Sequence, residues 1–395
     1  MINVFEKKCA ECGVKRLGEI KLQKCSKCNS VRYCSKECQK MHWAIHKAVC
    51  KDIAERQQAI VDAARLNDIF DVAVDYLRAR DLTKFESLIN ENLDVLNHQS
   101  EEFGTACLLI ACVQFKIPQA VKILLDKQAD VNSQTVKGCT PLYLACQNGH
   151  KNIAKMLLDK QADVDIQNVE GATPLHMACH QGHRDIAKIL LDKHANVNIQ
   201  SVKGATPLFI ACQNGYKDIV KMLLDKQADV YIQDCEGFTP LFIACQAGHK
   251  DIAKMLLVIQ ADVNIQDVEG FTPLYIVCQD GHKDIVKILL DKQADVNIRN
   301  VRRRTPLHMA CENGHTDVVK MLLDTQQADI NVQGVDGYTP LHMACHQGHK
   351  DIAKMLLDKH ADVHILNIER ISPLQMASHQ GHEEISELLR QHGAE

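Results

Sequence analysis

From residue 103 to residue 395, apolar and polar positions recur with one fixed period. The tripeptide Thr-Pro-Leu begins at Thr140, Thr173, Thr206, Thr239, Thr272, Thr305 and Thr339 and returns as Ser-Pro-Leu at Ser372, in steps of 33 residues with one of 34. The extra residue falls in DTQQADIN, where other copies read DKQADVN or close to it, so it is expected in a loop. Within one copy, Thr140 is placed to cap a helix with its hydroxyl, and Pro141 suits the first helical position, where no N–H is needed. Leu142, Ala145 and Cys146 follow at i, i+3, i+4 as a narrow apolar stripe, and Gly149 supplies the left-handed residue that ends a helix of about two turns. Ile153, Met156, Leu157 and Leu158 form a second apolar face, and ADVDIQNVEG reads as an extended finger closed by a glycine turn. One such helix pair cannot bury its own apolar face, so the copies must stack into a solenoid.

Composition changes the picture mainly at the other end of the chain. The 395 residues contain no apolar run near the ~18 that would suggest a membrane span, and the opening MINVFEKK is charged, unlike a secretory signal. An intracellular protein, cytoplasmic or nuclear and without a membrane partner, is expected. In that reducing setting the 18 cysteines are expected as thiols or metal ligands rather than disulfides. Net charge is -4 overall, but residues 1–51 hold 12 Lys and Arg against 4 Asp and Glu, leaving 34 against 46 elsewhere, so the two parts carry +8 and -12.

The basic part also holds most of the candidate chemistry. Sulfur or imidazole recurs every four residues at Cys34, Cys38, His42, His46 and Cys50, close to one helical turn per step, so neighbouring pairs share a helix face. Upstream stand Cys9-x2-Cys12 and Cys25-x2-Cys28, the tight spacing with which two thiolates grip one tetrahedral zinc. Seven cysteines cannot close two four-coordinate sites, so one imidazole is required, and spacing alone does not choose between His42 and His46. Seven thiolates and two Zn²⁺ would leave this part about +5, which suits an acidic partner.

The 33-residue pattern resembles the ankyrin repeat. It covers residues 103–395 as about nine copies, the first of them, 103–132, lacking the proline. Residues 71–97 read as a degenerate tenth copy that caps the stack, within a helical linker spanning 51–102. The resemblance implies a mainly α solenoid of helix-turn-helix units with β-hairpin fingers. Residues 9–50, with RYC before Cys34 and CQ…W…H…C from Cys38 onward, resemble the MYND-type zinc finger. This second resemblance implies a small two-zinc cross-brace: Cys9, Cys12, Cys34 and Cys38 on one structural zinc, Cys25, Cys28, His46 and Cys50 on the other, with His42 on the surface. It also implies that a groove beside the Gln39 and Trp43 helix receives proline-rich peptides.

Four protein ligands per zinc leave no open position for a reactive water, and no HExxH, deaminase, P-loop or dinucleotide-binding pattern occurs. A non-enzymatic adaptor with two protein partners and no small-molecule substrate is therefore expected. A nuclear or chromatin-associated regulator acting through the basic finger is the alternative, and nucleic acid enters only there. The recurring Cys112, Cys146, Cys179, Cys212, Cys245, Cys278, Cys311 and Cys345 are expected to pack, since stacked helices lie ~8–10 Å apart, beyond the ~7 Å a disulfide tolerates between Cα atoms. His150, His183, His249, His282, His315, His349 and His382, after the turn glycine, are expected to bond turn backbone, because Tyr216 fills the same place in one copy.

Several departures from the ankyrin pattern bear on strain and on surface. Before Ala-Asp, where ankyrin repeats usually carry glycine, stand Gln128, Gln161, His194, Gln227, Gln260, Gln293, Gln327 and His360; a left-handed backbone there costs about 1 kcal/mol relative to glycine. Two finger glycines are replaced by Arg303 and Arg370. The residue after Thr-Pro-Leu varies (Tyr143, His176, Phe209, Phe242, Tyr275, His308, His342, Gln375) as a binding surface would. Phe238, Phe242, Phe271 and Tyr275 are expected to form one exposed apolar patch, with Arg299, Arg302, Arg303 and Arg304 crowding a finger beside it, ready for an acidic protein.

Overall fold

The computed structural model describes residues 23–24, 32–33, 36–98 and 107–395, with side chains defined over most of the stretch from residue 55 onward. The chain divides into two compact units, residues 1–130 and 131–395.

In the first unit, strand β1 (Gln23–Lys24) pairs antiparallel with β2 (Arg32–Tyr33), Gln23 opposite Tyr33. A single 43-residue helix, α1 (Lys36–Arg78), follows. Among its described side chains Phe70, Ala73, Val74 and Leu77, at i, i+3, i+4, i+7, are buried, whereas Ile60 and Val61 are exposed. Helix α2 (Leu82–Glu91) starts at Asp81, whose carboxylate accepts from the Lys84 N–H at 3.1 Å. It buries Phe85 and Ile89. Helices α3 (Leu108–Gln114) and α4 (Pro118–Asp126) form the next pair, and α1 packs on α3 as α2 packs on α4. Arg80 (φ 56°) and Lys116 (φ 55°) take the left-handed turn that glycine takes in the later pairs, and Asp81 N–H and Ile117 N–H reach back to Tyr76 and Cys112 carbonyls as His150 N–H reaches Ala145.

The second unit contains eight successive helix pairs, each opened by the Thr-Pro-Leu or Ser-Pro-Leu signal. The first helices include Pro141–Gln147, Pro174–Gln181 and Pro207–Gln213; the second helices, such as Lys151–Asp159 and Arg184–Asp192, are nine residues long. The caps behave as their chemistry dictates: Thr140 Oγ1 accepts from the Tyr143 N–H at 3.1 Å and Thr239 Oγ1 from the Phe242 N–H at 3.2 Å. Ile153, Ala154, Leu157 and Leu158, and their counterparts in the next copies, are buried between layers.

The fingers differ from expectation. Among the described residues of this unit no β-strand forms; each finger is a turn with a single backbone rung. Asn168 N–H donates to the Ala172 carbonyl at 3.0 Å, but Ala172 N–H turns to the Asn168 side-chain oxygen at 2.8 Å, so the carboxamide takes the bond that would have extended a ladder. Asp234, Asp267, Asn300 and Asn367 do the same in later fingers. Successive fingers are tied by backbone, from Val169 N–H to the Lys137 carbonyl (3.0 Å) through to Ile368 N–H on Asp336 (3.2 Å). A Cβ on Gly171 would come within 2.8 Å of Val202 N, so glycine is needed there for the approach of the next finger as well as for its φ of 74°.

The residues before Ala-Asp are left-handed, φ 61–66° at Gln128, Gln161, His194, Gln227, Gln260, Gln293 and His360. In the 34-residue copy the left-handed residue is Gln326 (φ 56°), not the expected Gln327: it stands two residues beyond the helix end at Asp324, as Gln161 stands beyond Asp159, so the extra residue, Gln327, falls after the turn. Arg303 (φ 59°) and Arg370 (φ 61°) hold the left-handed finger positions.

Candidate functional site: the zinc finger and the partner surfaces of the repeats

Residues 9–50 are described only as β1, β2 and the start of α1. The backbone of α1 carries Cys38, His42, His46 and Cys50 in one uninterrupted helix, one turn apart. Cys25 directly follows β1 in sequence and Cys34 directly follows β2. A donor set of seven cysteines with two histidines, four of the nine on one helix, fits structural zinc. The positions of Cys9, Cys12, Cys25, Cys28 and Cys34, and the side chains of all eight expected ligands and of Gln39 and Trp43, lie outside the described residues.

In the repeats, the recurring reactive groups are used internally. All eight column cysteines are fully buried, and burial pushes their thiols up, Cys345 to about 12, so they stay protonated. The histidines after the turn glycine bridge layers: His249, His315, His349 and His382 bond through Nε2 to the carbonyls of Gln213, Gln279, Glu312 and His346 at 2.9–3.3 Å. Each ring also covers the preceding layer's turn. A Cβ on Gly149 would meet the His183 ring at 2.7 Å, and one on Gly182 would meet Tyr216 at 2.6 Å.

Apart from the exposed Gln375 of the last copy, the residue after Thr-Pro-Leu is not surface, contrary to expectation. Tyr143, Phe209, Phe242 and Tyr275 are at most 6% exposed, and His176, His308 and His342 are fully buried. His176 Nδ1 accepts from the Thr173 N–H at 3.1 Å and pairs with its hydroxyl at 2.8 Å, while Nε2 reaches the Ala205 carbonyl of the next finger at 3.1 Å. The ring therefore carries its proton on Nε2 and is neutral, and burial lowers its pKa to about 4. His308 repeats the arrangement with Thr305 and Tyr338 and also falls to about 4 through burial.

The same burial corrects the proposed aromatic patch. Phe242 and Tyr275 are core, filling the layer behind the caps, and only Phe238 and Phe271 reach the surface, half-buried. Phe238 stacks on Phe242 (4.6 Å, 13°) and Phe271 on Tyr275 (4.7 Å, 26°). The burial pushes the Tyr275 hydroxyl to about 12, and that hydroxyl accepts from Asn300 Nδ2 at 3.1 Å.

Of the four arginines, Arg304 is not available to a partner. Its side chain is 16% exposed and bridges Asp336 (2.7 Å) and Glu312 (3.1 Å). Burial opposes the Asp336 charge, yet the guanidinium and the Tyr338 N–H hold that carboxyl below the usual range. Arg299, Arg302 and Arg303 are exposed.

Two surface features escaped the sequence reading. One is a row of exposed β-branched residues, one per finger tip: Val136, Val169, Val202, Val268, Val301, Val335 and Ile368, interrupted by the exposed Cys235. Their 33-residue spacing was a signal, but exposure of a branched aliphatic does not follow from pattern. The other is a ladder of ion pairs between second helices, Lys151 to Asp185, Arg184 to Asp218, Lys217 to Asp251, Lys250 to Asp284 and Lys283 to Asp317, at 2.7–3.3 Å, which skips Thr316 and resumes at Lys350 to Glu384. Each pair is exposed and screened by solvent, so the ladder adds little to stability. Among the described residues no three His, Cys, Asp or Glu side chains gather as a metal site, and no helix is long and apolar enough to cross a membrane.

Comparison with known proteins matches this geometry. The model of ankyrin repeats (three copies) matches overlapping stretches from 72–168 to 325–395, and the MYND finger model matches residues 9–50. Over 45 residues, 11% of this chain and 10% of the relative, the sequence is 44% identical to SET domain-containing protein 14 of Caenorhabditis elegans. Over 76 residues, 19% of this chain and 8% of the relative, it is 37% identical to the nuclear factor NF-kappa-B p105 subunit of Gallus gallus. These matches thus span about a tenth of each relative's length. With family models covering the finger and the whole repeat region, the chain belongs to the ankyrin-repeat family and carries an N-terminal MYND zinc finger.

Proposed function

We propose that the protein is a non-enzymatic adaptor: the MYND finger, folded around two zinc ions, binds a proline-rich peptide beside Gln39 and Trp43, and the ankyrin array, with residues 71–97 as its cap, binds a second protein. Both families are built for protein interaction, and the observation that carries the reading is where the reactive groups lie. The recurring cysteines are buried neutral thiols, and the histidines after Thr-Pro-Leu use both ring nitrogens in caps and layer contacts. The fingers offer to solvent a row of valines beside charged side chains, among them Arg299, Arg302 and Arg303, a surface suited to binding. The 45-residue likeness to a SET domain-containing protein is too short to carry that domain's chemistry here. A nuclear regulator acting on nucleic acid is the second reading, favoured only by the +8 charge of residues 1–51.

The test is whether the full-length chain, immobilised, holds two different proteins at once. Replacing Cys25→Ser should release one and leave the other. Loss of both together, or capture of a single protein insensitive to the finger, would count against the adaptor. Trp43 is the sole tryptophan, so its fluorescence should respond to a proline-rich peptide if the groove is used.

A further inference from the structure

The sixth finger, 297–304, stands apart from its neighbours. It carries four arginines and no acid, where the matching stretches on either side hold Asp267 and Glu269 or Asp336. In other fingers a glutamine crosses the loop: Gln266 Nε2 donates to the Gly270 carbonyl at 2.8 Å and to the Arg299 carbonyl of the next finger at 3.3 Å, and Gln200, Gln233 and Gln333 do likewise. Arg299 takes the glutamine's place and breaks this ladder. Arg303 takes the glycine's place and accepts a left-handed φ of 59°. The eighth finger, with Leu366 and Arg370 at the same two positions, shows that the scaffold tolerates both losses, so charge is what singles out the sixth. Arg304 satisfies Asp336 and Glu312, and in doing so neutralises the acid of the following finger. Arg299, Arg302 and Arg303 are left exposed and make no salt bridge.

These three guanidinium groups are flanked by apolar surface. Val301 at the tip is 66% exposed, with Val268 (69%) before it and Val335 (60%) after it, and the three finger tips are joined by the Val301 N–H to Glu269 and Val335 N–H to Arg302 carbonyl bonds, both 2.9 Å. The backbone thus fixes the relative placement of cations and valines. Resting on the adaptor reading, we propose that this finger is the docking site for an acidic segment of the array's protein partner, its carboxylates on Arg299, Arg302 and Arg303 and its apolar side chains on Val268, Val301 and Val335. Charge complementarity names the occupant: a guanidinium fork pairs a carboxylate with two hydrogen bonds, and an interleaved valine row selects a segment that alternates acid with aliphatic. Asp267 and Glu269 in the fifth finger set its direction, because they repel acid, so the carboxylate-rich part lies over the sixth and seventh fingers.

The probe is a short fluorescein-labelled peptide of alternating glutamate and valine, titrated against the full-length chain by anisotropy. Binding should weaken steeply with salt, and restoring the neighbours' residues with Arg299→Gln, Arg302→Glu and Arg303→Gly should weaken it by roughly tenfold or more with the melting temperature unchanged or raised. Val301→Ser with Val335→Ser should weaken it with less change in the salt dependence, and Arg370→Gly in the eighth finger should leave it unchanged. Equal affinity of the triple variant, equal loss with Arg370→Gly, or tighter binding of a labelled DNA duplex than of the peptide would overturn the proposal. The same triple variant immobilised in lysate separates the two readings: if it still holds the finger-independent protein while the peptide fails to bind the parent chain, the adaptor stands and this site falls.

Discussion

The Phe238 ring lies face to face on the Phe242 ring, centroids 4.6 Å apart and planes 13° apart, with Phe242 2% exposed and Phe238 half-buried above it. One side chain of the pair is core and the other is its lid. Phe242→Ala should therefore cost about 3–5 kcal/mol through the cavity it leaves, and Phe238→Ala about 1 kcal/mol, mostly the stacking term. Urea unfolding followed by far-ultraviolet circular dichroism separates them; equal losses for the two would mean the outer ring is as firmly packed as the inner.

The glutamines before Ala-Asp offer a test of stored strain. Gln161, Gln227 and Gln293 sit at φ 61–64°, where a Cβ is unfavourable. Exchanging all three for glycine should stabilise the array by up to about 1 kcal/mol each, raising the urea midpoint. A lowered midpoint would show that the glutamine side chains give back more than the backbone loses.

The helix pairs were legible because their signals are local: a threonine that caps, a proline at the first position, a glycine at the turn. The left-handed glutamines were legible for the same reason, except at Gln326, where the pattern before Ala-Asp pointed to Gln327 although the extra residue falls after the turn. What the pattern hid depends on the next layer. His176, Phe242 and Tyr275 look like variable surface along the chain, yet His176 and Tyr275 bond to the following finger and Phe242 lies buried under Phe238, so variation there is variation in packing. Arg304 looked like part of a free cationic cluster until Asp336, 32 residues on, came within 2.7 Å. The fingers were read as hairpins because alternation and a glycine turn suggest them, whereas the Asn168 carboxamide ends the ladder after one rung.

Zinc content gives a prediction for the finger. Elemental analysis of the full-length chain should return two zinc ions, since a domain of about 40 residues has too small a core to fold without metal. His46→Ala should lower the count and His42→Ala should not. Chelation should remove the zinc while leaving the helical signal of residues 131–395, whose buried side chains involve no metal site among the described residues. A count of two retained in His46→Ala, or lost in His42→Ala, would reassign the imidazole ligand.

The buried capping histidines predict how the array responds to acid. In the unfolded chain His176 and His308 titrate near the ordinary 6.5, whereas in the fold burial lowers both to about 4. Between these values the unfolded chain binds more protons than the folded one, so stability is complete above about pH 6.5, falls as pH drops toward about 4, and levels off below. Protonating Nδ1 removes the acceptor for the Thr173 N–H and places a charge beside buried backbone, at a limiting cost of about 3 kcal/mol per histidine. The last repeat shows how to remove the effect: Gln375 Oε1 accepts from the Ser372 N–H at 3.0 Å and Gln375 N–H donates to Ser372 Oγ at 3.2 Å, a capping box that cannot titrate. Urea midpoints measured at pH 7.5 and pH 5 should differ markedly for the parent chain, and His176→Gln with His308→Gln should narrow the gap without much loss at pH 7.5. An unchanged gap would place the acid sensitivity elsewhere, and a collapse at pH 7.5 would show that the Nε2 bonds to Ala205 and Tyr338 matter more than the caps.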